Sequence, residues 1–163
     1  MKRPRTGYAG LRAAIDLLDA LLMAFGGLMM LLLMLLKHAA RANEQVHRGL
    51  WLREENRGSD LFGKTVGIIG YGHMGAAFAE KLSGFGVRVL AHDKYKQGFG
   101  SDRVKEVPLE ELQRASDVVS LHLPLNAETQ HYANASFLAG FAKPIHLLNT
   151  SRGPVVHTAA LLD

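Results

Sequence analysis

The sequence predicts an α/β fold, a doubly wound parallel sheet. Three observations carry that expectation. Strand-like and helix-like segments alternate with short connections, a glycine-rich turn follows the first strand directly, and the notable polar residues fall where strands end. Strands are expected at residues 66–69, 87–91, 118–121 and 145–148. Helices are expected at 74–82, 109–114 and 135–141, with Thr158 capping a last one. About four strands is fewer than the roughly six of a complete sheet of this kind, so the sheet is expected to be incomplete.

The glycine turn is the most specific element. The apolar run ending at Ile69 leads straight into Gly70-x-Gly72-x-x-Gly75, and a helical pattern follows. Gly70 permits a tight turn off the strand, Gly72 lets backbone approach a pyrophosphate, and Gly75 lets helix and strand pack closely. The helix starting here points free N–H groups at the phosphates. The next strand ends on Asp93, 18 residues past Gly75, where a carboxylate accepts hydrogen bonds from the adenosine ribose. A carboxylate there disfavours a 2′-phosphate, so NAD is expected over NADP, with Lys94 and Lys96 weakening the preference. An ordinary turn glycine and a solvated strand-end carboxylate are the alternatives for each residue taken singly. Glycine spacing and strand context together favour a Rossmann-type dinucleotide site.

Composition narrows the class. A chain of 163 residues with 48% hydrophobic and 21% charged content is globular. Its net charge of +4 is spread along the chain apart from Lys2-Arg3-Pro4-Arg5, and no aromatic-interleaved basic stripe accompanies it, so no nucleic-acid partner is expected. The chain has no cysteine, which excludes disulfides and fits a reducing compartment; a cytoplasmic protein is expected. Its eight histidines lack metal-ligand spacing, so no metal is expected.

Residues 20–36 form an uncharged run of 17 residues, the short limit of a membrane span. Asp16 and Asp19 separate it from the basic cluster upstream, unlike a signal peptide. A helix apolar on all sides lies in protein or in lipid, and of the two a long buried helix is expected. A polar helical segment, 37–53, carries Trp51 and Arg53, and residues 54–60 read as a charged linker. Three parts are therefore expected: an unassigned segment at 1–22, an apolar interface helix with linker at 23–60, and the dinucleotide-binding domain at 61–163.

A second polar cluster is Asn149-Thr-Ser-Arg152-Gly153. An arginine at a strand tip can hold a substrate carboxylate through two parallel hydrogen bonds and polarise a neighbouring carbonyl. The plainer alternative is an arginine that caps carbonyls or pairs with a surface acid. For His122, the residues alone favour a loop-ordering histidine over a proton-transfer group.

Taken in series, Gly63–Gly75, Ser116-Asp-Val-Val-Ser-Leu-His-Leu-Pro-Leu125, Glu128-Thr129, Lys143-Pro144 and Asn149-Thr-Ser-Arg-Gly-Pro-Val-Val156 resemble the D-isomer-specific 2-hydroxyacid dehydrogenases, the group of phosphoglycerate dehydrogenases and hydroxypyruvate or glyoxylate reductases. The resemblance runs from about residue 31 to 163. It implies an NAD-dependent oxidoreductase acting on a small 2-hydroxy or 2-keto acid, with the long apolar helix helping to form a homodimer. By resemblance, His73 and Met74 bind pyrophosphate through backbone N–H groups and Asp93 holds the ribose. The loop of His122, Leu123, Pro124 and Leu125, with Thr129, flanks the adenosine side. Thr150, Ser151 and Arg152 line the nicotinamide side, and Arg152 is the catalytic, substrate-holding arginine. The family's acid–base glutamate and histidine lie downstream of the arginine motif and have no counterpart in the 11 residues after Arg152, so this chain alone is expected to be inactive. Gly26-Gly27 stands where the family usually has a polar pair such as Glu-His. A non-catalytic NAD-binding or oligomerisation module is the alternative function.

Overall fold

The computed structural model describes residues 26–162. The segment 1–22 and the beginning of the apolar run lie outside the described residues. From residue 26 the chain is helical to residue 36 (α1), and α2 (Ala39–His47) follows after a break at Lys37-His38, where His38 takes a left-handed φ of 52°. The sheet comprises β1 (Thr65–Ile69), β2 (Arg88–His92), β3 (Val104–Glu106), β4 (Val118–Leu121) and β5 (His146–Asn149). Four further helices are α3 (His73–Leu82), α4 (Leu109–Ala115), α5 (Ala135–Ala139) and α6 (Thr158–Leu162).

The strand order is β3-β2-β1-β4-β5, with every neighbouring pair parallel. The chain moves outward in one direction through β2 and β3, then returns past β1 to lay down β4 and β5. The crevice where this order reverses, at the C-terminal ends of β1 and β4, is where doubly wound sheets bind ligands. The sheet has five strands where the sequence suggested about four. The additional strand, β3, is three residues long and inserts only Val104 into the core, 4% exposed.

Alternation along the strands divides the core in two. Val66, Ile68, Val89, Ala91, Val118 and Leu148 face α3 and α1, packing with Phe78, Leu82, Leu28, Leu32 and Leu36. Ile69, Leu90, Val119 and Leu121 face the other way, onto Leu112 of α4 and Phe137 of α5. Both faces of the central strands are thus buried, as continuous apolar runs require.

Within α1 only the stripe of Leu28, Leu32 and Leu36, spaced four apart, is buried, whereas Met30, Leu31, Met34 and Leu35 are exposed. Over the described part of the run, residues 26–36, the helix is thus buried on one face and not all round as expected. Among the described residues, no helix is long and apolar enough to cross a membrane.

The expected polar helix 37–53 is shorter in the structure and stops at His47. Gly49, at φ 75°, donates to Val46 O at 2.9 Å, and Leu50 N donates to Gln45 O at 2.9 Å, a Schellman stop that leaves Trp51 and Arg53 outside any helix. The charged segment after it is tied to the end of α1, with Ser59 N donating to Leu36 O at 2.9 Å and Lys37 pairing with Asp60 at 2.8 Å. Thr158 is the first residue of α6, not its cap. The ring Nδ1 of His157 accepts from Ala160 N at 3.3 Å and serves that role. Helix α5 ends at Ala139, two residues short of the expected Phe141.

Candidate functional site

Because all five strands are parallel, the residues that follow them gather along one edge of the sheet. Gly70 follows β1, Asp93 follows β2, the His122 loop follows β4, and Thr150-Ser-Arg152 follows β5.

The three glycines of the turn have different surroundings. Gly70 has φ 89°, and a Cβ there would lie 2.5 Å from His122 O. A Cβ on Gly75 would sit 2.1 Å from Gly70 O, so α3 starts against the backbone of the turn. Gly72 has ordinary φ −77°, and a Cβ on it would meet nothing within 4 Å. Among the described residues, neither backbone strain nor packing calls for a glycine at position 72. The open space is where a ligand phosphate can approach main chain. Just beyond it the N–H groups of His73 and Met74 open α3, and the first turn of a helix leaves its N–H groups free of intrahelical partners.

Asp93 is engaged by the protein itself. One carboxylate oxygen accepts from Tyr71 N at 2.7 Å, and the other accepts from Tyr95 N and Lys96 N, both at 2.9 Å. Partial burial pushes its pKa up, but the N–H groups of Tyr95, Tyr71 and Lys96 outweigh that and hold the carboxyl below its ordinary value. Asp93 thus stays ionised and fastens the glycine turn to the end of β2. A carboxylate accepts roughly four hydrogen bonds, which leaves capacity for a ribose hydroxyl.

Between these two strand ends lies a cavity of about 210 Å³ lined by Gly70, Gly72, Asp93, Lys94, Tyr95, His122, Leu123, Pro124, Asn126, Glu128, Thr129 and Tyr132, among others. Leu123, Pro124 and Tyr132 supply apolar walls, suited to a flat heterocycle. Expected residues Gly70, Gly72, Asp93, His122, Leu123, Pro124 and Thr129 meet here. His73, Met74 and Gly75 adjoin the turn without lining the cavity, and Thr150, Ser151 and Arg152 stand apart from it, at the end of β5.

His122 is deeply set. Its Nε2 lies 3.0 Å from Ser120 Oγ, its ring tilts against Phe78 at 5.6 Å, and burial pushes its pKa down to about 4. It is therefore neutral at pH 7, in keeping with a loop-ordering role. The Thr129 hydroxyl is also committed, donating to Pro124 O at 2.5 Å and accepting from Asn126 N at 2.9 Å. Asn126 Oδ1 in turn accepts from Glu128 N and Thr129 N, at 2.9 and 3.0 Å. These bonds shape the cavity wall, and their signature is legible as Asn126-x-x-Thr129, a side-chain turn spacing. Tyr95, Asn126 and Tyr132 were not singled out from sequence, because nothing in a single chain marks them as meeting at one wall.

Arg152 is exposed, and its Nη1 donates to Ser151 O at 2.7 Å. Among the described residues it pairs with no carboxylate. Its backbone is fixed by Asn149, whose Nδ2 donates to Arg152 O at 2.9 Å while Oδ1 accepts from Ser151 Oγ at 2.7 Å. The turn after it is tied to the 131–133 segment, with His131 N donating to Pro154 O at 2.8 Å and Ala133 N to Val155 O at 3.0 Å. Asn149 is a supporting residue that the sequence placed in the motif without a role.

The family model for the D-isomer specific 2-hydroxyacid dehydrogenase NAD binding domain matches residues 29–163. The chain belongs to this family. It is 34% identical over 133 residues to a hydroxypyruvate reductase of Thermotoga maritima, covering 82% of this chain and 43% of that one. It is 42% identical over 127 residues to 2-hydroxyacid dehydrogenase A of Aspergillus oryzae, covering 76% and 35%. Among solved structures, it superposes on the NAD-dependent formate dehydrogenase of Staphylococcus aureus, a complex with NAD, with a TM-score of 0.81 and 31% identity, over 87% of this chain and 43% of that one. The chain therefore carries the NAD-binding domain of the family, and it spans less than half the length of these relatives. The open face of Gly72, the free first turn of α3 and the ionised Asp93 fit that cofactor.

Proposed function

We propose that this chain is the cofactor-binding part of an NAD-dependent oxidoreductase acting on the CH–OH group of a D-2-hydroxy acid of the phosphoglycerate or hydroxypyruvate type. The observation that carries this reading is Gly72, whose missing side chain faces open space at the switch point of the sheet. Gly70 and Gly75 form the turn, and the N–H groups of His73 and Met74 receive the pyrophosphate. Asp93 accepts from a ribose hydroxyl. Leu123 and Pro124 cover the adenosine, with His122 and Thr129 holding their loop in shape. A bound NAD would supply hydride chemistry at C2 of the acid. Thr150 and Ser151 border the nicotinamide side, and Arg152 is the catalytic residue, its guanidinium gripping the substrate carboxylate and favouring negative charge on the adjacent oxygen. The proton is handled by a glutamate–histidine pair that this chain does not assign.

A second copy of the chain is the proposed partner of the exposed Met30, Leu31, Met34 and Leu35 face, and the cytoplasm the proposed location. The proposed division at residue 61 separates α1 and the linker from the dinucleotide-binding domain in sequence, although the Leu28, Leu32 and Leu36 stripe of α1 packs into that domain's core. The binding assignment is tested by Gly72→Val, followed by NADH fluorescence titration and a thermal melt. A folded variant that loses NADH binding is expected. Equal affinity in variant and parent would refute the assignment of the turn.

A further inference from the structure

The two lysines beside Asp93 are not free. Lys94 Nζ donates to Glu128 Oε1 at 2.9 Å and lies 5.2 Å from the centre of the Tyr95 ring. The Tyr95 hydroxyl donates to the other oxygen of Glu128. Lys96 is engaged by the glycine turn instead, donating to Tyr71 O at 3.2 Å and lying 5.3 Å from the centre of the Tyr71 ring. Asp93, Lys94, Tyr95 and Glu128 all line the same cavity, at the end where the carboxylate of Asp93 stands.

A 2′-phosphorylated ribose needs a cation close to the end of β2. Lys94 is the residue next to Asp93 and has a flexible stem and a compact charge, so in chemical terms it is able to serve. It is held across the cavity mouth by a residue 34 positions later in the chain. We propose that Glu128 is a determinant of cofactor choice: by binding Lys94, and fixing Tyr95 beside it, it withholds the cation next in sequence to Asp93 from a ribose 2′-phosphate. The inference rests on the NAD-binding role of this site and concerns which of two dinucleotides it prefers.

The structure gives this contact a cost to break only in part. The side chains of Lys94 and Glu128 are 64% and 54% exposed, so solvent screens the charge pair and breaking it costs little. Neutralising Glu128 should therefore release Lys94 without disturbing the fold.

The test is the ratio of NADPH to NADH affinity, measured by fluorescence titration at low and high salt on the full chain, on Glu128→Gln and on Glu128→Gln with Lys94→Ala. Thermal melts of all three check folding. Glu128→Gln is expected to raise the ratio about two- to fivefold, the worth of the exposed pair that holds Lys94, with the gain shrinking at high salt. Lys94→Ala in that background is expected to remove the gain. An unchanged ratio in Glu128→Gln overturns the proposal, because a general structural defect lowers both affinities together. A gain that persists without Lys94 also overturns it, assigning the effect to the charge of Glu128 alone. A parent chain that binds neither dinucleotide refutes the cofactor assignment beneath it, an outcome distinct from an unchanged ratio.

Discussion

Acidification should destabilise this protein through His122 well before its carboxylates titrate. Burial lowers the pKa of this ring from 6.5 to about 4, so between those values the unfolded chain takes up a proton that the folded chain refuses. Stability must then fall as pH falls from 6.5 toward 4 and level off below. At about 1.4 kcal/mol per pH unit the loss reaches roughly 2 kcal/mol at pH 5 and about 3 kcal/mol near pH 4. With a urea m-value of about 2 kcal/mol/M, the first figure is a midpoint shift of about 1 M. Asp93 and Asp117 act in a lower window. Their pKa values are held below 3.8, so their contribution is present above that value and is lost as pH falls through the lowered ones. Urea melts of the parent and of His122→Gln, from pH 8 to pH 4.5, make the comparison. Glutamine carries no charge at any of these values, and its amide can still reach Ser120 Oγ. The slope should flatten in the variant. Parallel slopes, or an NMR titration of the His122 ring with its midpoint at 6.5, would refute the reasoning.

Gly75→Ala should destabilise the fold by several kcal/mol, visible in a denaturant melt, because its Cβ would lie 2.1 Å from a backbone oxygen that cannot rotate away. Asp117 accepts from Thr65 N at 2.7 Å and from Lys143 Nζ at 2.6 Å, joining the start of β1 to the approach to β5. Asp117→Ala should therefore cost about 1–2 kcal/mol in the same melt, and a change near zero would mean water replaces both bonds freely. If the exposed face of α1 meets a second copy, Leu31→Glu should shift sedimentation toward monomer without loss of helical signal in circular dichroism. A monomeric parent would refute that pairing.

Much of the sheet was legible because β1, β2 and β4 are buried on both faces. Val66, Ile68, Ile69, Val118 and Val119 therefore had to be continuous apolar runs. β3 was not, since a strand at the sheet edge needs only Val104 inside and the surrounding Ser101, Asp102, Arg103 and Lys105 read as loop. The stop of α2 was present in the sequence as Gly49, but helical periodicity continued past it and the stronger pattern misled. At the site, the glycines and Asp93 were legible because backbone geometry restricts residue type there. Their spacing could not reveal that Asp93 is bonded to three backbone N–H groups. It also gave no hint of the pairing between Lys94 and Glu128, which depends on two loops meeting at adjacent strand ends.

The triple engagement of Asp93 sets a constraint on how the family member carrying this domain can be altered. A residue bound to Tyr71 N, Tyr95 N and Lys96 N is a rivet as well as a reader. Replacing it to admit another dinucleotide strips acceptors from three amides at once and loosens the phosphate turn in the same step. Lineages or designers seeking such a change should find exchanges at this position damaging unless the replacement also bonds those amides, as asparagine or serine does in part. The position is thus guarded by architecture as well as by the ligand it recognises.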